Sequence, residues 1–271
     1  MAAITKVLTY AFDDTTSDVE VLKTIAMFCG VGLTVPLGFT VRDTFYGGAT
    51  AQQVAQGGRV FNSASTHGSC ILMGDSHGGM YALVTRYLCQ ELDWKFTAAC
   101  VGGLDPLPSL EGPQSQLWLD SLALVKNNKP DCLILVCDWR RHDDDHRIRL
   151  AVDALTPHVG RLLILNQPPV LPKTATRDAI RGGQKPPFYE DPETTARRTK
   201  ANARLGQFGA ANCKIIDVAS YFQTAQGDIP FVDEEGNQLY QDASHPSAYG
   251  ANRIRTVLKD AIADSRTKKS D

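Results

Sequence analysis

The sequence predicts an α/β domain built on a parallel sheet with helices on both faces. Two observations point there. Short all-apolar runs such as Cys132-Leu133-Ile134-Leu135-Val136-Cys137 and Leu162-Leu163-Ile164-Leu165 lack the polar alternation of half-exposed strands. Segments with helical spacing stand between successive runs, the order expected of repeated strand–helix–strand units.

The rest of the composition agrees with an ordinary globular chain. Of 271 residues, 43 % are apolar and 21 % charged, and 28 Lys+Arg against 30 Asp+Glu leave a net charge of −2. This argues against a collagen-like, disordered or polybasic protein, and gives no electrostatic reason to expect nucleic acid as a partner. Seven cysteines, an odd number scattered through apolar runs, do not read as a disulfide framework.

The elements follow in order. Residues 24–41 contain no charged side chain, and about 18 such residues is the lower limit for a bilayer-crossing helix. The N-terminal segment 1–43 is therefore expected to carry a candidate transmembrane helix at about 24–41, ahead of the alternative of a buried apolar hairpin. A cleaved signal peptide fits less well, because Asp13, Asp14, Asp18 and Glu20 precede the run where positive charge belongs. Residues 44–68, rich in Gly, Ala, Gln and Ser, read as a linker or peripheral extension. The α/β domain spans 69–264. Its strands are expected at 70–73, 95–101, 132–137, 162–165 and 214–218, and its helices at 80–91, 114–126, 144–155, 194–205 and 247–264. The tail, 265–271, is expected to be disordered. Ligands of such folds sit beyond the carboxyl ends of the strands, so the residues just after each strand matter most.

The first strand ends in Gly74-Asp75-Ser76-His77-Gly78-Gly79. A serine at a tight strand-to-helix turn exposes its hydroxyl, and its N–H lies where a helix start favours negative charge. Taken alone, these residues are more simply a helix cap. Near the C-terminus stands Asp242-Ala243-Ser244-His245-Pro246-Ser247. A carboxylate three residues before an imidazole can accept from its Nδ1–H and leave Nε2 free to take a proton. Together the two motifs supply nucleophile, orienting carboxylate and base in the order Ser76, Asp242, His245.

These motifs resemble the SGNH (GDSL-like) hydrolase superfamily over roughly residues 68–263. The resemblance implies a flavodoxin-like three-layer α/β/α sandwich and serine-dependent acyl-ester chemistry, with no cofactor. It gives Ser76 the nucleophile's role, His245 the base's and Asp242 the orienting carboxylate's, and it points to Gly102 or Gly103 as an oxyanion donor. The family's asparagine after the third strand is missing, and Asp138-Trp139-Arg140-Arg141 stands in its place. A tryptophan-containing loop there resembles the SGNH domains fused to membrane-bound acyltransferase family 3 proteins, which O-acetylate surface polysaccharides. That likeness implies a carbohydrate substrate, an acyl donor, and a membrane acyltransferase as partner or as a missing N-terminal domain. It also implies a membrane-associated protein with an extracytoplasmic (periplasmic) catalytic domain, soluble if the apolar run does not span. Transferase and esterase both remain open, with the apolar run and the tryptophan loop favouring the transferase.

Other readings stand beside this one. Trp139, Arg140 and Arg141 could stack on a sugar or clamp an anionic glycan, or equally form a surface cluster with Asp143 and Asp144. Asp75 and His77 also resemble the first motif of metallophosphoesterases, but the further ligands of a two-metal site do not follow. His142 and His146 stand at i, i+4 with acidic residues between them, yet no closing ligand set is visible, so no metal site is assigned. Cys132 and Cys137 read as core residues. Asn166-Gln167 reads as a loop that could shape the cleft, and the basic residues 197–204, with Arg198 and Lys200, as a solvated helix face. A glycan-binding domain without turnover is the alternative from a different class.

Overall fold

A computed structural model describes residues 47–142, 144–172, 187–209, 212–234 and 237–265. The uncharged run 24–41 and the tail residues 266–271 lie outside the described residues. Among the described residues no helix is long and apolar enough to cross a membrane.

The elements are α1 (Ala51–Ala55), β1 (Arg59–Phe61), β2 (Ser69–Gly74), α2 (Ser76–Glu91), β3 (Lys95–Cys100), α3 (Gln116–Asn128) and β4 (Cys132–Val136). They continue as α4 (Asp145–Leu155), β5 (Arg161–Leu165), α5 (Pro192–Leu205), β6 (Cys213–Ile216), α6 (Ala248–Asn252) and α7 (Arg255–Ala263). The sheet has the order β1-β3-β2-β4-β5-β6, with every pair parallel except β1 with β3. Without the edge strand β1 this is the flavodoxin-like order, so the predicted fold class holds. The chain crosses from one side of β2 to the other after β3, which makes the β2/β4 boundary the topological switch point.

The buried strands form two apolar faces because their side chains alternate sides. Cys70, Leu72, Ile134 and Val136 pack with Tyr81 and Leu88 of α2 and with Leu258 and Ile262 of α7. Ile71, Met73, Leu133 and Leu135 pack with Leu124 of α3, Ile148 and Leu155 of α4, and Leu205 of α5. The six described cysteines are buried and fill these layers as small apolar residues.

Six helices begin at a side-chain cap: Thr50 for α1, Asp75 for α2, Ser115 for α3, Asp144 for α4, Asp191 for α5 and Ser247 for α6. Each accepts a backbone N–H that the first helical turn cannot satisfy internally. Two details sharpen the expected boundaries. Within the expected linker or extension, α1 is a short peripheral helix and β1 pairs antiparallel with β3 at the edge of the sheet. The last helix is divided into α6 and α7, with the wholly buried Ile254 between them.

Candidate active site

The site is assembled where β2 ends. Gly74 pairs with Cys100 on one side and Val136 on the other. A Cβ at Gly74 would stand 1.9 Å from the Val136 carbonyl oxygen, so the strand can turn here only with glycine. Asp75 follows in extended conformation. Its Oδ1 accepts the His77 N–H at 2.8 Å and caps α2, while its Oδ2 accepts the Asp138 N–H at 2.8 Å. One carboxylate thus starts the helix and pins the end of β4 to the end of β2. Ser76 is the first residue of α2, with its hydroxyl over the sheet's carboxyl edge.

The opposite wall comes from the loop between Tyr240 and Pro246, which form an isolated antiparallel bridge. The Gln241 N–H donates to the His245 carbonyl at 2.8 Å, and the Leu171 N–H donates to the Ala243 carbonyl at 2.8 Å. The loop is seated on α6, where a Cβ at Gly250 would meet the Leu239 carbonyl oxygen at 2.0 Å. This brings His245 Nε2 to 2.9 Å from Ser76 Oγ, and His245 Nδ1 to 2.7 Å from Asp242 Oδ2. The other oxygen of Asp242 accepts the N–H groups of Ser244 at 2.8 Å and His245 at 2.9 Å. With Nδ1–H donated to the carboxylate, Nε2 is left as the acceptor facing the serine hydroxyl. Burial pushes the Asp242 carboxyl up, but hydrogen bonds from the His245 ring and the two backbone N–H groups outweigh it. The carboxyl is held well below the usual carboxylate range.

Behind this triad lies a second layer. His77 is buried, its ring centroid 4.5 Å from that of His245 at an interplanar angle of 37°. Its Nε2 lies 3.7 Å from Asp138 Oδ2. Arg140 grips Asp138 with two hydrogen bonds of 2.8 Å, and Arg141 Nε approaches it at 3.2 Å. Burial raises the Asp138 carboxyl, but the Arg140 hydrogen bonds and the charges of His77, Arg140 and Arg141 bring it below its ordinary value. Burial lowers His77, which Asp138 and Asp75 only partly oppose.

These residues face a cleft of about 340 Å³ whose lining includes Asp75, Ser76, His77, Gly103, Asp138, Arg141, His142 and His245. Of the two glycines after β3, Gly103 lines the cleft, with a left-handed φ of +77°, while Gly102 is exposed beside it. The sequence reading missed the part played by Asp138. Its position directly after a central strand, followed by two arginines, was the available signal.

Trp139 does not face the cleft. It is 1 % exposed, its indole N–H donates to the Leu165 carbonyl at 2.7 Å, and its backbone N–H donates to Gln167 Oε1 at 2.9 Å. The ring that could have stacked on a sugar or joined a surface cluster is instead a buried strut between the ends of β4 and β5. Arg140 and Arg141 pair with Asp138. Asp144 caps α4, and Asp143 lies outside the described residues.

Both oxygens of Asp75 are engaged by backbone N–H groups, which is the arrangement of a cap and brace and not of an open ligand. Among the described residues no group of three or more His, Cys, Asp and Glu could hold a metal ion. Asn166 and Gln167 brace the cleft from beneath, Asn166 accepting the Val218 and Ala219 N–H groups and Gln167 exchanging hydrogen bonds with Asn202.

A sequence profile of the SGNH domain (fused to AT3 domains) matches residues 46–260. A search of curated protein sequences finds no significant match. Among solved structures, the periplasmic domain of a lipopolysaccharide acetyltransferase from Salmonella ser. Paratyphi A is similar at 15 % identity and a TM-score of 0.55, covering 92 % of this chain and 98 % of that one. The acetylxylan esterase Axe2 from Geobacillus stearothermophilus aligns at 15 % identity and a TM-score of 0.46, over 72 % of this chain and 94 % of its own. The profile match covers most of the chain, and the chain belongs to the family of SGNH domains that occur fused to AT3 domains.

Proposed function

We propose that this protein is a serine-dependent acyl-ester enzyme that transfers or removes O-acetyl groups on a surface carbohydrate. The observation that carries the reading is the line of hydrogen bonds Ser76 Oγ–His245 Nε2–His245 Nδ1–Asp242 Oδ2, at 2.9 and 2.7 Å. Family membership supports the same chemistry.

His245 Nε2 takes the proton of Ser76 as Oγ attacks the acyl carbonyl carbon, and Asp242 stabilises the imidazolium that forms. The carbonyl's electron pair moves to oxygen, where the Ser76 N–H at the start of α2 and the Gly103 N–H are the donors we assign to it. The helix start adds a favourable potential for that negative charge. Collapse of the tetrahedral intermediate breaks the bond to the leaving group, which receives the proton from His245. A sugar hydroxyl or a water molecule then gives its proton to His245 and attacks the acyl-serine, releasing Ser76. On this reading a membrane acyltransferase domain is the partner, and the reaction takes place on the extracytoplasmic side, in keeping with the periplasmic location of the similar Salmonella domain.

Hydrolysis of p-nitrophenyl acetate by the full chain tests the assignment. Ser76→Ala and His245→Ala should each lower kcat by at least about a thousandfold. Equal rates in the wild type and both variants would sink the triad. A folded triad that binds glycans without turnover would show no hydrolysis even in the wild type.

A further inference from the structure

A second cavity, of about 210 Å³, adjoins the triad cleft, and the two share Asp138 and Arg141 in their walls. Its lining is Asp138, Arg140, Arg141, Thr194 and Arg197, so three guanidinium groups face one carboxylate. The charge balance changes sign between the two compartments. The triad cleft has Asp75, Asp105 and Asp138 against Arg141 and Arg147, whereas its neighbour carries an excess of two positive charges.

Asp138 does not use up this excess. Arg140 already engages both of its oxygens, and Arg141 reaches it through Nε alone at 3.2 Å, with its side chain 81 % exposed. The fork of Arg141 therefore keeps its terminal N–H groups for another acceptor. Arg197 lies 3.8 Å from Glu193, one turn earlier on α5, in an exposed pair. Such a pair is weak and readily gives way to a better anion. Arg140, locked by its bidentate contact, fixes the floor on which the two more exposed arginines stand.

We propose that this cavity is a subsite for an anionic substituent, a carboxylate or an ester phosphate, carried by the sugar whose hydroxyl or acetyl ester lies at Ser76. The inference rests on the acyl-ester reading above and names the substrate class for it. Planar guanidinium forks match both groups through paired hydrogen bonds. The shared wall at Asp138 and Arg141 lets one saccharide span both compartments. An acidic glycan thus places its charge beside Arg141 and Arg197 while its neutral ring edge meets the triad.

Isothermal titration of the full-length Ser76→Ala protein with trigalacturonate, galactotriose and galactose 6-phosphate tests this. Trigalacturonate or the phosphate should bind at least about tenfold more tightly than galactotriose, and the preferred probe identifies the anion. The preference should shrink as salt is raised and should disappear in the additional variants Arg197→Gln and Arg141→Gln. Equal binding of charged and neutral sugars, absence of binding, or a charge preference that survives both substitutions would overturn the subsite. Hydrolysis of p-nitrophenyl acetate by the unaltered chain judges the triad separately, so either reading can fail alone.

Discussion

Asp242 holds His245 at two places, through the ring and through the backbone. Its Oδ2 receives the ring Nδ1, and its Oδ1 receives the N–H of the same residue. Asp242→Asn should keep the backbone contacts, since the amide oxygen still accepts, but it places an NH₂ group or a neutral oxygen against Nδ1. The imidazole then loses the partner that sets its tautomer and stabilises its cation. We expect kcat for p-nitrophenyl acetate to fall about 10³- to 10⁴-fold with an unchanged circular dichroism spectrum. An activity within tenfold of wild type would show that Asp242 only shapes the loop. The spacing Asp-x-x-His made this pair readable, because three residues in one turn cannot place their side chains far apart. Trp139 was unreadable for the opposite reason. Its orientation is decided by hydrogen bonds that it donates to Leu165 and Gln167, which lie 26 and 28 residues further along the chain.

At the scale of elements, α5 shows how a charge count misleads. Residues 197–204 look like a solvated basic face, yet Arg198 is 7 % exposed and its Nε donates to Glu190 at 2.8 Å. The other oxygen of Glu190 accepts the Val170 N–H at 2.9 Å, so the pair ties the start of α5 to the loop after β5. That loop carries Gln167, the partner of Trp139, and so supports the cleft wall. Replacing Arg198 with Met leaves Glu190 buried without its cation, which should cost about 3–5 kcal/mol in chemical denaturation. The double variant Arg198→Met/Glu190→Gln should recover part of that loss, and additive costs would show the pair to be uncoupled. The strands of the parallel sheet were readable because each is a continuous apolar run. Strand β1 was not, since Arg59–Phe61 is too short for a period of two to register.

For the whole molecule, the buried His77 and the half-buried His142 contribute to the response to acid. Burial lowers both His77 and His142 below their ordinary value, although nearby carboxylates oppose it. Between the folded and unfolded values the unfolded chain binds more protons. Stability should therefore fall as the pH drops below about 6.5 and level off, for these two groups, below their folded values. Asp138 and Asp242, depressed in the fold, contribute stability above the ordinary carboxylate range that is lost as the pH falls through their folded values. Thermal melts from pH 8 to pH 4 should show a midpoint that declines once the pH drops below about 6.5. A midpoint that stays level between pH 6.5 and 5 would contradict the histidine contribution. The general architecture and the triad were legible because the alternation of elements and the two end motifs are local signals. The adjoining arginine cavity was not, because it forms only when the β4 loop meets α5.

The hydrogen bond from Ser76 to His245 joins residues 169 positions apart. Chains emerge from the ribosome with the N-terminal end first, and contacts of such separation close late. On the proposed function, a nascent chain that has already formed β2 and α2 holds a serine without its base until the loop carrying Asp242 and His245 docks. The nucleophile is thus made long before the group that would activate it.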